Sequence, residues 1–320
     1  MSTPAALLHT QPVIVETPIG QFWHMLRKDR LAVAGLVVLI ALVVIAVVGK
    51  ALTEWVPAFN PATVRLVDKL RPPMAPVSSI IQAEEHPIGG VYIFGTDELG
   101  RDVLSRMLQG SSVSLLIGFV AVGISTVIGI LFGGIAGYYG NLRLGPMSVD
   151  TIIMRFTDVM LCFPTFFLIL TVVALLPPSI YNIMIVIGAT SWMGTTRFVR
   201  ADFMSLRDQD FVIAAKALGL PEWRIIFRHM MPNAMSPVLV SATISVADAI
   251  LTESALSFLG FGVRPPFATW GNILADGKAY IFDAPWLFFI PGLAILLIVL
   301  AFNLLGEGMR EALNPRLRSR

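Results

Sequence analysis

Leu31–Gly49 reads LAVAGLVVLIALVVIAVVG, nineteen residues without a charge, bounded by Arg27-Lys28-Asp29-Arg30 before and Lys50 after. A membrane-spanning helix needs about 20 mostly apolar residues. The run follows a polar tail, 1–26, and lacks a small-residue cleavage signature, so it reads as an anchor helix and not as a removed leader. The whole chain agrees. Of 320 residues, 56% are hydrophobic and only 14% charged, and mean hydropathy is +0.77. A water-facing surface of this size needs more charge, so the composition indicates an all-α integral membrane protein.

Five further apolar segments follow: about Gly110–Tyr138, a third from Val149 with its uncharged part at Val159–Leu176, Ser179–Thr196, Ala234–Leu259 and Pro285–Gly306. Six transmembrane helices are expected. Lys and Arg set the orientation. With the N-terminus in the cytoplasm, the inner segments hold Arg27, Lys28, Arg30, Arg143, the group Arg197–Arg228, and Arg310, Arg316, Arg318 and Arg320. The opposite side holds Arg264 and Lys278, plus a long stretch whose basic residues are balanced by acids. Both termini are therefore expected inside. The chain divides into a cytoplasmic tail (1–26), the first span with its outer loop (27–109), a five-helix core (110–306) and a C-terminal cytoplasmic tail (307–320).

Net charge is +2, which implies no polyanion partner. The lone Cys162 cannot form an intrachain disulfide or a metal cluster. His9, His24, His86 and His229 lie far apart and have no metal-ligand spacing. No cofactor or metal is expected. A Walker A loop needs Gly-Lys followed by Ser or Thr. Gly49-Lys50 and Gly277-Lys278 are each followed by alanine, so any ATP must be bound elsewhere, and no catalytic residues are assigned.

Two hydrophilic segments stand out. In the outer stretch 50–109, Pro57, Pro61, Pro72, Pro73, Pro76 and Pro87 argue for an irregular or partly ordered loop. Thr96-Asp97-Glu98-Leu99 resembles an N-cap with acids in the first turn, leading into a short helix over Arg101–Arg106. The inner stretch 197–232 contains DFVIAAKALGLPEWRIIFRHMMPN, Asp210–Asn233. Phe211, Ala214, Ala215 and Leu218 share a helical face, Gly219 breaks the helix, and Pro221 suits a new first turn. Trp223, Ile226, Phe227 and Met230 repeat the spacing, Arg224 and Arg228 lie on another face, and Pro232 ends the segment. Periodicity alone fits either a hairpin on the lipid surface or a partner-docking element. Nucleic acid is excluded by the sparse basic residues and the membrane tether.

The residues here resemble a family. Ala214-Ala215, Gly219 and Pro232 are similar to the EAA loop of permease subunits of ATP-binding-cassette importers. This chain departs from that motif at Ile213, His229 and Met231, where Glu, Ile and Leu are usual. Gly95–Arg106, Ser257–Gly262, Trp270-Gly271, Pro291–Ile295 and Asn303–Gly306 resemble the dipeptide/oligopeptide/nickel group, and its C-type permease in particular. The resemblance spans roughly residues 20–316 and implies a type I importer (MetI-like) fold. It further implies a homologous B-type permease completing the pore, two ABC ATPase subunits, and a periplasmic or lipid-anchored binding protein that delivers peptide. Ala214, Ala215, Gly219, Leu220, Trp223, Arg224 and Pro232 would then carry ATPase coupling. Nickel chelates or another small solute are the alternative cargo. A secondary transporter would show internal repeats, and none is found.

Several intramembrane residues call for partners. Gly129, Gly133 and Gly137 form a small-residue face for close helix packing, within the subunit or across the pore seam. Arg155 and Asp158 are spaced to pair, with Asp150 nearby, as a structural pair or part of an inner gate. Asp248 and Glu253, five residues apart, are about 140° apart around a helix, so they form no dyad, and one is expected at the translocation path or the partner. Pro164, Pro237 and Pro291 either mark kinks or shape a static bundle.

Overall fold

The computed structural model describes residues 18–81 and 86–313. The readings for residues 1–17, including His9, and for Arg316, Arg318 and Arg320 lie outside the described residues.

Asp29 accepts hydrogen bonds from the amides of Leu31 (2.9 Å) and Ala32 (3.2 Å), opening α2 (Arg30–Trp55) on the charge-free run. These amides have no intrahelical partner, so the carboxylate caps them. Where a plain polar tail was expected, α1 (Pro18–Lys28) precedes it, with Leu26 buried against Ala32 and Ala312.

The next helix, α3 (Val103–Tyr138), is 36 residues long. Its cap is Asp102, which accepts from Ser105 N at 2.9 Å, and not Thr96. Thr96 instead donates to the Asp68 carbonyl at 2.5 Å and bridges Asp102 in extended conformation. There is thus no separate helix over Arg101–Arg106; Val103–Arg106 begins α3. The expected cap failed because its hydroxyl is engaged by a residue 28 positions upstream.

A small hairpin, β1 (Arg143–Leu144) against β2 (Met147–Ser148), leads into α4 (Val149–Leu161). The third segment then breaks. α4 and α5 (Thr165–Leu175) are bent by 79°, at Pro164, which has no amide to continue the ladder. Pro237 and Pro291 lie inside continuous helices.

The expected span Ser179–Thr196 is not one helix. α6 (Ile180–Thr190) has 11 residues, about 16 Å at 1.5 Å per residue, against a hydrocarbon core of about 30 Å. After a break at Ser191-Trp192, α7 (Met193–Arg207) continues beside α3 in the same direction. Gly188 meets Ala121 and Ile124, Gly129 meets Thr195, Gly133 meets Val199, and Gly137 meets Phe203. Arg197 and Arg200, expected in the inner hydrophilic stretch 197–232, therefore sit on a helix packed against α3.

Downstream come α8 (Asp210–Ala217), α9 (Glu222–Arg224), a π-helical turn Ile225–Met230, and α10 (Met231–Phe258). Pro232 does not end a helix here. It follows closely on the π-helical turn, where Met231 N already bonds to Ile226 O out of the α-helical register and the ladder is relaxed around the missing amide, and Glu222–Phe258 runs on as one 37-residue unit. α11 (Trp270–Gly277) and α12 (Trp286–Ala312) complete the chain.

Among the described residues, α2, α3, Glu222–Phe258 and α12 are long and apolar enough to cross a membrane; the bent α4–α5 pair, counted as one span, makes a fifth. Six crossings are reached only by counting α6–α7 as one broken span. α3 is central, contacting α2, α4, α6, α7, α10 and α11. Its main core includes Ile117, Ile250, Leu256, Trp270 and Ile298, all buried.

The glycine face of α3 is therefore filled by this chain's own α7. A Cβ on Gly133 would lie 2.6 Å from Thr196 O and 2.8 Å from Val199 Cβ. The first contact is backbone and cannot rotate away. Gly133→Leu is expected to cost at least about 1–3 kcal/mol by overpacking and to lower the recovery of folded chain from detergent. Wild-type recovery and thermal midpoint would refute this account of the crossing.

Candidate functional site

The helix pair after α7 turns at Gly219. Its φ is +73°, a left-handed conformation that costs L side chains energy and glycine none. The amide of Leu220 bonds to Ala215 O at 3.2 Å, satisfying an end carbonyl of α8. The faces differ from those expected. Val212, Ala215, Ile225 and Met230 point inward and pack with Val199 and Phe203 of α7. Phe211, Ile213, Leu218, Trp223 and Phe227 are exposed, Leu218 by 81% and Trp223 by 60%. Ala214, Arg224 and Pro232 are also exposed, and Leu220 is half-buried. The guanidinium of Arg224 lies 5.3 Å from the Trp223 ring. Periodicity missed this inversion because both faces are apolar and only the position of α7 decides which is covered.

The unit is tied to α3. Tyr139 Oη donates to Glu222 Oε2 at 2.8 Å, and that bond pushes the phenol pKa up to about 12, so it remains a donor at neutral pH.

The charges of the third segment pair across helices. Asp158 pairs with Arg197 at 2.5 Å, and Asp150 is held by both side-chain arms of Arg200. The expected Arg155–Asp158 pair is absent; Arg155 is exposed. α7 brings two guanidiniums to the carboxylates of α4 and outcompetes the i, i+3 neighbour. These pairs, beside Thr195 and Val199 of the glycine crossing, fasten α4 and α7 together.

Asp248 and Glu253 separate as their angular spacing requires. Glu253 is fully buried and accepts from Ser257 Oγ at 2.7 Å. Asp248 faces a cavity of about 390 Å³ between α3, the α4–α5 bend, the α6–α7 break and α10. No pocket was legible in the sequence, because its walls come from helices far apart in the chain.

A buried charge cluster in the outer stretch was not legible in the sequence. The described residues between α2 and α3 include strand pairing between 75–76 and 91–92 and are bound to the core by buried charge. Asp97, fully buried, meets Arg101 and Arg106 at 2.6 Å each, and Arg106 reaches Asp276 of α11 at 2.9 Å. Asp68, also fully buried, accepts from Tyr92 Oη at 2.9 Å and Ser78 N at 3.0 Å. Burial raises the Glu98 carboxyl pKa, and the Asp97 charge adds to the shift. Gly100 (φ +71°) allows the closure: a Cβ there would lie 1.8 Å from Arg65 O.

A bundle of apolar helices, two of them broken, with an exposed apolar helix pair at one end and a mainly apolar cavity that holds one carboxylate, is the build of a transport subunit. Residues 102–319 match the family of binding-protein-dependent transport system inner membrane components, and residues 17–73 match the N-terminal TM domain of oligopeptide transport permease C. The chain belongs to the binding-protein-dependent transport system inner membrane component family and is a membrane permease subunit of an ABC transporter. It is 38% identical to the dipeptide transport system permease protein DppC of Alkalihalophilus pseudofirmus, over 95% of this chain and 91% of that one. It is also 38% identical to the di/tripeptide transport system permease protein DppC of Pseudomonas aeruginosa, over 96% and 95%. An inward-facing structure of the MetNI methionine ABC transporter is similar at TM-score 0.49 and 15% identity, covering 66% of this chain and 98% of that chain.

Proposed function

We propose that this chain is the C-type permease of an ATP-driven importer of di- and oligopeptides in the bacterial inner membrane. It forms half of a pore with a homologous B-type permease. A binding protein delivers peptide at the outer end, and two ATPase subunits dock at the inner end. Both termini are cytoplasmic, with 50–109 outside and 197–232 inside.

The observation that carries the coupling role is the exposed apolar surface of Phe211, Ile213, Leu218, Trp223 and Phe227 around the Gly219 turn. A monomeric soluble surface rarely leaves such a patch uncovered. The same unit continues without a break through Glu222–Phe258. An ATPase groove that seats Ala214, Gly219, Leu220, Trp223, Arg224 and Pro232 would push on a helix that runs into the membrane and carries Asp248; Ala215, buried against α7, supports this surface from within and does not touch the partner. The pairs Asp158–Arg197 and Asp150–Arg200 would hold α4 and α7 as one inner gate piece. Peptide cargo is supported by the dipeptide and di/tripeptide permeases at 38% identity.

The cargo is tested by uptake of labelled dipeptide in a strain lacking this subunit, with and without the chain restored. Restored, binding-protein-dependent uptake is expected; failure with dipeptides and longer peptides alike would reject the reading. Topology has its own test. In a Cys162→Ser background, cysteines at the exposed positions Ser79 and Ser205 are expected to react with an impermeant thiol reagent from opposite sides of intact membranes. Labelling from one side would overturn the orientation.

A further inference from the structure

Resting on the peptide-import reading, we infer that the cavity at Asp248 is a binding site for the ammonium end of the solute, the free N-terminal amine of a peptide. The cavity lies at the middle of α3, bounded by Ala121 and Ser125, and opens where both broken spans bend. Helix ends of both polarities meet there, so the side chains decide the sign of the ligand.

Those side chains offer acceptors. The hydroxyl protons of four lining residues are already used within their own helices: Ser125 to Val122 O (3.1 Å), Thr190 to Val186 O (2.6 Å), Ser245 to Ser241 O (2.9 Å) and Thr252 to Asp248 O (2.7 Å). Toward the cavity these four present lone pairs; beside them stand the hydroxyls of Thr165 and Ser191, and the one charged group is the carboxylate of Asp248. No Lys, Arg or His lines the cavity. Two other acids are paired with arginines inside the chain, Asp150 with Arg200 and Asp158 with Arg197, and Glu253 is fully enclosed and accepts from Ser257 away from this cavity. Among the described residues no cation pairs with Asp248. A carboxylate in a span is expensive without a partner, and this one faces a space of about 390 Å³, within the range of small-molecule sites. A ligand rich in N–H donors and carrying positive charge meets both needs, and an ammonium group has three donors. A peptide carboxylate would meet repulsion here.

The test uses the assembled complex of permeases and ATPases without binding protein, so that the binding protein's own selectivity does not enter. Equilibrium dialysis with labelled alanyl-alanine and with its N-acetyl form is run on wild type, Asp248→Asn and Asp248→Glu. Binding of the free dipeptide is expected in wild type, weakened about tenfold or more in Asp248→Asn, as for a lost charge-assisted bond, and largely kept in Asp248→Glu. The acetylated peptide is expected to bind about tenfold or more weakly to wild type, a comparison that stands even if a variant fails to assemble. Equal binding of the two peptides, equal binding by Asp248→Asn, or no binding by wild type would overturn the site. Binding-protein-dependent uptake in proteoliposomes separates the levels. No peptide uptake by wild type overturns the import reading itself, while uptake unaffected by Asp248→Asn overturns only the ammonium site.

Discussion

Gly219→Asp is expected to leave the chain inserted in the membrane at near-normal levels, to lose co-purification of the ATPases and to reduce peptide uptake to background. A Cβ at this position meets nothing within 4 Å, so no packing clash is created. The backbone is left-handed at φ +73°, which costs a side chain about 1–2 kcal/mol, less for Asp and Asn, whose short side chains bond locally. Strain alone therefore cannot unfold the pair. The damage comes from a charge beside Leu218, 81% exposed, in a surface that must be desolvated when it docks. Gly219→Asn is the control: similar in shape and tolerance of this conformation, without the charge, it should retain ATPases and most uptake. If Gly219→Asp imports peptide with its ATPases attached, the exposed face is lying on lipid. If Gly219→Asn fails equally, the turn itself and not the surface is what matters.

Arg106→Met is expected to have the largest effect on stability. Arg106 is 3% exposed and bonds Asp97 and Asp276 at 2.6 and 2.9 Å. Removing one member of a buried ionic group leaves charge uncompensated and costs about 3–5 kcal/mol. Asp97 would keep Arg101, but Asp276 would keep only a 3.7 Å contact with the same guanidinium. The outer segment would lose its main link to α11. Little folded complex should be recovered, with a clearly lower thermal midpoint. The double variant Arg106→Met, Asp276→Asn should be less damaged than the sum of the single variants, because the orphaned charge is gone. Strict additivity, or a stable Arg106→Met, would mean the cluster is incidental.

The residues by themselves determined the class of fold and the composition of the helix pair. A charge-free run such as Leu31–Gly49 has few fates other than a lipid-facing helix, since its backbone must be satisfied internally where water is absent. The Gly219 turn was equally legible, because a left-handed break favours glycine whatever surrounds it. The glycine spacing of α3 announced a close crossing but not its partner, since a flat face accepts any helix of suitable shape. Only the tertiary structure decided that α7 fills it.

Charge was read least well. Arg155 and Asp158 are near in sequence, yet Asp158 pairs with Arg197, 39 residues away. Arg106 reaches Asp276 across 170. Coulomb attraction depends on distance in space and on burial, and neither is encoded in local spacing. The same holds for the cavity at Asp248. Its carboxylate is visible in the sequence, but its walls exist only because four separately encoded elements converge on it. The continuity of Glu222–Phe258 past Pro232 was likewise settled in three dimensions. There the π-helical turn Ile225–Met230 accommodates the missing amide of the proline after it, and the burial of Ile225 and Met230 against α7 holds that turn in place.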